Sequence, residues 1–185
     1  MTHTRKMTTI AILSAVSFLL MYIRFPLIPS ASFLEVDFSI VPVLFGLLVL
    51  DKKSSFAILF LRTLLKLFLN NTGPTTVIGL PMNIAAMAVF IIVFDHFWKN
   101  METNKQYLLA SVFSTLGSTG LMLVLNYVYA VPVYAAFANF DIRQILGLGT
   151  YLFAMVLPFN LLQGILLSLV FYLVYQASRP ILKRI

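Results

Sequence analysis

The sequence predicts an all-α integral membrane protein, a bundle of six transmembrane helices in a single domain over residues 1–185. Three observations predict it. First, 61% of the residues are hydrophobic and only 10% charged, against roughly 45–50% and about 25% in soluble domains. A chain this small cannot hide that excess in a core, so lipid is its solvent. Second, the apolar residues gather in six long segments rather than in the alternation of a membrane β-barrel; stretches 84–94 and 165–175 are apolar on every face. Third, the basic residues fall mostly in the short connections between those segments.

The segments are 7–23, 38–50, 54–69, 77–98, 107–128 (with apolar residues continuing to Phe140) and 149–175. The first follows Arg5 and Lys6 as a signal peptide would, but no small-residue cleavage site follows it, so it is read as a retained span. The second and third are short of the roughly 20 residues that cross a bilayer core, which predicts a tilted or irregular hairpin there. With the N-terminus inside, inner connections hold Arg5, Lys6, Lys52, Lys53, Lys99, Lys105, Arg179, Lys183 and Arg184, while outer ones hold Arg24 and Arg143. This bias places both termini in the cytoplasm, and an even span count follows. The outer loops are then 24–37, 70–76 and 129–148, rich in Pro, Gly and Asn. No internal repeat or linker divides the chain.

Several function classes fall away. There is no cysteine, hence no disulfide framework, thiolate metal site or cysteine nucleophile. Two histidines, His3 in the tail and His96 at an inner edge, supply neither a metal set nor a Ser-His-Asp triad. No P-loop is present. Asp37, Asp51, Asp95 and Asp141 all lie at segment edges, whereas an intramembrane aspartyl protease needs two within spans. The net charge of +7 is accounted for by topology and anionic lipid, and no basic stripe interleaved with aromatics points to nucleic acid.

Four constellations remain. Ala11 and Ala15, four apart and flanked by Ser14, form a small-residue face that either packs inside the bundle or receives a partner helix. Glu35, Asp37 and Ser39 at the start of the second segment are either solvated or a mouth for a hydroxyl-rich ligand. Arg62 and Lys66 share a helix face; charges at membrane depth seek a partner or an interface, and Asp37 is the expected partner. The amides Asn83, Asn126, Asn160 and Gln163 offer donors and acceptors together. They serve either as interhelical glue or as contacts for the edge of a neutral heterocycle in an apolar pocket.

These features together resemble the substrate-binding S component of energy-coupling factor (ECF) vitamin transporters, and within that group the riboflavin-specific branch. The Ala11-x-x-x-Ala15 pattern is similar to the family's docking signature. Residues 34–42, Leu-Glu-Val-Asp-Phe-Ser-Ile-Val-Pro, resemble its lead into the second helix. Pro81-Met-Asn83, Asn126-Tyr127 with Pro132, and the run Pro158-Phe-Asn-Leu-Leu-Gln-Gly164 resemble its fourth, fifth and sixth helices. The last departs from the family by carrying Gln163 where Lys is usual. The resemblance implies a plasma-membrane protein of a prokaryote that is not an enzyme and has no cofactor. It implies riboflavin held as substrate by Leu34, Glu35, Asp37, Lys66, Asn83, Asn126, Tyr127, Asn160 and Gln163. It further implies docking through Ala11 and Ala15 on a transmembrane coupling protein, whose two ATPase subunits consume the ATP. Another vitamin such as thiamine or biotin is the alternative within the family. A stand-alone secondary carrier is the alternative outside it, although the interior acidic residues that a coupling-ion site needs are missing.

Overall fold

A computed structural model describes residues 2–98, 103–138 and 140–182; Lys99, Lys183 and Arg184 of the charge argument lie outside them. The described chain is helical apart from one small hairpin. Helix α1 (His3–Leu20) leads into β1 (Arg24–Pro26), a 3-10 turn (Pro29–Ala31) and β2 (Glu35–Asp37). Then come α2 (Ile40–Val49), α3 (Lys52–Leu69), α4 (Pro74–Phe97) and α5 (Asn104–Leu125). A π-helical turn (Asn126–Ala130) joins α5 to α6 (Val131–Phe137), and a short α7 (Ile142–Ile145) follows. A second π-helical stretch (Thr150–Val156) opens into α8 (Leu157–Leu182).

Each apolar segment of the sequence corresponds to a helix. Three continuous stretches, Pro74–Phe97, Asn104–Phe137 and Thr150–Pro180, are long and apolar enough to cross a membrane. Helix α2 is shorter, at 10 residues. Helices α1 and α3 have 18 residues each and carry basic side chains. The stretch 129–148, expected as a loop, is instead helical over α6 and α7. Pro132 follows the π-helical turn directly, inside the continuous helical stretch Asn104–Phe137, and its missing N–H interrupts the helical bond ladder there.

Local signals fix the helix ends. The Asp51 carboxylate accepts from Ser54 N at 2.8 Å and caps α3. Thr103 and Gln106 form a reciprocal capping box at α5. Gly73, at φ 90°, makes the turn into α4, whose first residue is Pro74.

The bundle is tied at the end where α3 and α5 begin. Lys6 of α1 pairs with Asp51, and Lys52 reaches Asp95 of α4 at 2.9 Å. The hydrogen bond from Lys6, aided by that from Ser54 N, holds the Asp51 carboxyl down at about 2. Beside these pairs lies an aromatic plug. Phe94 meets Tyr107 and Phe171 edge-on at 5.6 and 5.7 Å, and Trp98 meets Tyr107 and Tyr175 at 4.9 and 4.8 Å. Edge-to-face pairs contribute about 0.5–1.5 kcal/mol each beyond burial, so this end of the bundle is packed shut.

Small residues set the close approaches. A Cβ on Gly46 of α2 would overlap Ile58 of α3, and one on Gly164 of α8 would lie 2.8 Å from Thr115 Cβ of α5. Replacing Gly164 by Ala is therefore expected to force α5 and α8 apart at a cost of about 1–3 kcal/mol. A lower thermal midpoint of the detergent-purified protein checks this; an unchanged midpoint would mean that α5 and α8 move apart at no cost.

Candidate substrate-binding site

Opposite the aromatic plug the bundle opens around a cavity of about 850 Å³. This is within the roughly 300–1,000 Å³ usual for small-molecule sites. The β1–β2 hairpin forms its cap. The strands pair antiparallel, Arg24 opposite Asp37 and Pro26 opposite Glu35. A salt bridge of 3.1 Å from Arg24 Nη1 to Glu35 Oε2 bridges them. Val36 is wholly buried, whereas Glu35 is exposed, so strand alternation turns one face of the cap into the bundle. Leu34 packs against both apolar clusters found among the described residues and anchors the cap between them.

Eight residues singled out in the sequence line this one cavity: Leu34, Glu35, Asp37, Lys66, Asn83, Asn126, Asn160 and Gln163. They come from the cap, α3, α4, the first π turn and α8. Tyr127 does not join them. It is 50% exposed and outside the cavity wall, because the next residue along a helix points about 100° away from its neighbour, and Asn126 is the one turned inward.

The hydrogen-bond network fixes what each amide offers. Asn160 Nδ2 donates to the Val156 carbonyl at 2.8 Å. A carbonyl only accepts, so the Asn160 side-chain oxygen is left as the free acceptor. Asn126 is engaged at both ends: Nδ2 donates to the Met122 carbonyl at 2.8 Å, and Oδ1 accepts from the Tyr151 hydroxyl. Gln163, half-buried, makes no side-chain hydrogen bond among the described residues and is free in both senses. Lys66 Nζ donates to Asn70 Oδ1 at 2.6 Å near the mouth, with the Tyr22 ring at 6.0 Å. The expected pairing of Arg62 or Lys66 with Asp37 is not made within 4 Å. The Asp37 carboxylate instead turns back to accept from Ser39 N at 2.8 Å, a local bond that costs less ordering than a cross-helix pair.

Sequence reasoning missed the aromatic part of the wall. Tyr151 lines the cavity, and Phe33 of the cap stacks on it with centroids 6.3 Å apart and planes 21° from parallel. Phe90 and Phe159 line it lower down. Both π-helical turns border the site and carry Asn126, Ala130, Tyr151 and Val156 into it. Such turns concentrate at functional sites; the prolines close by, Pro132 and Pro158, are the one trace of them in the sequence.

A pocket of aromatic walls and free amide groups under a hairpin cap fits a flat, neutral, polar-edged ligand. A family model described as the substrate-specific component of ECF transporters matches residues 5–175. The chain belongs to the ECF transporter substrate-specific component family. This S component is 58% identical over 185 residues to the riboflavin transporter RibU of Streptococcus thermophilus, covering all of this chain and 88% of that protein. It is 43% identical to the riboflavin transporter RibU of Leuconostoc mesenteroides, covering 99% of this chain and 95% of the relative. Among solved structures, the S component of a bacterial ECF transporter superposes with a TM-score of 0.81 at 26% identity, covering 98% of this chain and 99% of that one.

Proposed function

We propose that this S component captures riboflavin from outside the cell and hands it inward with the help of an ATP-driven coupling module, and that it is not itself an enzyme. The observation that carries the reading is the 58% identity, across the whole chain, to a riboflavin transporter. The site supports it physically. An isoalloxazine is flat, and its pyrimidine edge alternates carbonyl acceptors with a ring N–H donor. The free Asn160 oxygen suits the N–H, and Gln163 can donate to a neighbouring carbonyl. Phe90, Phe159 and Tyr151 give the ring apolar and stacking surface. Glu35 and Asp37 at the cap suit a ribityl chain of hydroxyls.

The topology in this proposal has six spans, both termini cytoplasmic and the hairpin cap outside, in the plasma membrane of a prokaryote. The short α2 and the hydrogen-bonded charges of α3 cross as part of the bundle, where protein rather than lipid meets their polar groups. Closure of the inner end by aromatics supports entry from the capped side. Ala11 and Ala15, both exposed on α1, are assigned to the contact with a transmembrane coupling protein, whose two ATPase subunits supply the energy.

Titration of riboflavin fluorescence with the detergent-purified, flavin-free protein tests the reading. Saturable quenching at or below micromolar protein is expected. No quenching, with thiamine or biotin binding in its place, would reassign the substrate.

A further inference from the structure

Arg62 is fully buried at membrane depth, 0% exposed, yet it does not line the cavity. No carboxylate lies within 4 Å of it among the described residues. A charge so placed is costly and marks function more often than packing. Its guanidinium spends its donors on two neutral partners. Nη1 donates to the Ser39 hydroxyl, and Nη2 donates to Asn83 Oδ1 at 2.6 Å. Nε has no partner, so the two Nη contacts fix the pose.

The consequence falls on Asn83. Its amide would otherwise turn freely, presenting either oxygen or NH₂ to the cavity. A guanidinium has five donors and no acceptor, so only the oxygen can face Arg62. The Asn83 Nδ2 makes no hydrogen bond among the described residues, and Asn83 lines the cavity. We infer that Arg62 is a specificity-determining positioning residue, which locks Asn83 as a donor-only contact for an acceptor atom of the bound ligand. The wall then has opposite fixed polarities on two helices: a donor at Asn83 of α4 and an acceptor at Asn160 of α8. A ligand that brings a donor to Asn83 is rejected, because the amide cannot turn without leaving the buried charge unpaired. The same arginine reaches the cap. Ser39 precedes the first residue of α2, two residues after the hairpin, and its carbonyl accepts from Ser17 Oγ of α1 at 2.6 Å.

The inference rests on the riboflavin reading for its ligand, and the test separates the two. Asn83→Asp keeps the shape and gives Arg62 a better partner, but presents an acceptor to the cavity. It is expected to melt at or above the parent and to bind riboflavin at least tenfold more weakly. Asn83→Leu removes the acceptor for Arg62 and should melt below the parent. Arg62→Gln, which can donate or accept, unlocks the amide and should weaken binding several-fold. If Arg62 acts through Asn83, the double variant Arg62→Gln/Asn83→Leu binds no worse than Asn83→Leu alone. Riboflavin binding by Asn83→Asp within twofold of the parent overturns the inference, as does a double variant whose loss equals the product of the single losses. A parent that binds no riboflavin overturns the functional reading instead. The amide's orientation is then judged by melting, and Asn83→Asp melting below Asn83→Leu defeats it.

Discussion

Riboflavin uptake by cells carrying the Ala11→Trp, Ala15→Trp double variant is expected to stop, while the purified variant binds riboflavin as the parent does. The split follows from where the side chains lie. Helix α1 buries Ile10, Ser14, Ser17 and Phe18 against the bundle, and Ala11 and Ala15 are exposed on the other side together with Ile12, Val16 and Leu19. A bulky ring added there meets no residue of this chain, so folding and the cavity are spared. Two helices that pack through small residues do so because their backbones come close, and two indoles prevent it. Had the alanines packed inside the bundle, overpacking would cost about 1–3 kcal/mol and lower yield and binding together. Uptake in cells and fluorescence titration on one preparation decide between these outcomes. Uptake at the parental rate would remove the docking role from this face.

Asn160→Ala is expected to weaken riboflavin binding by roughly 5- to 150-fold, because a ligand group buried without its partner costs about 1–3 kcal/mol. Asn160 bonds only to the carbonyl of Val156, one turn earlier in its own chain. No cross-helix hydrogen bond is lost, and thermal stability should stay close to the parent's. Measuring affinity and melting together separates ligand binding from interhelical glue: unchanged affinity with a lower midpoint would make Asn160 a packing residue. The same substitution at Asn126 is expected to behave differently, since that amide also accepts from the Tyr151 hydroxyl of another segment; there both quantities should fall.

Much of the fold was legible in the sequence because lipid imposes a length and composition on each helix. All six apolar segments became helices, and the basic clusters at 5–6 and 52–53 sit together at one end. The candidate site was legible in its polar members, because an amide or acid in an apolar segment stands out whatever the fold. Glu35, Asp37, Asn83, Asn126, Asn160 and Gln163, spread over almost 130 residues, line one cavity. Its aromatic members were not legible. The chain has 17 Phe and 8 Tyr, and nothing local separates Phe33 or Tyr151 from the rings that face lipid. In a soluble helix an apolar stripe marks the inside; in a bilayer both sides are apolar and the stripe vanishes.

By itself, then, the sequence determined the solvent, the helical class, the polar inventory of the site and the small-residue face on the first helix. The tertiary structure alone decided which way each side chain turns. It exposed Ala11 and Ala15 where spacing allowed either side, took Tyr127 out of the wall that holds Asn126, and gave Arg62 a hydroxyl and an amide in place of Asp37. The reason is physical. Composition and periodicity set the cost of putting a group in lipid. The choice among neighbours that could satisfy it depends on helix rotation and on local competitors, such as the Ser39 amide that had already engaged Asp37, and these exist only once the helices have packed.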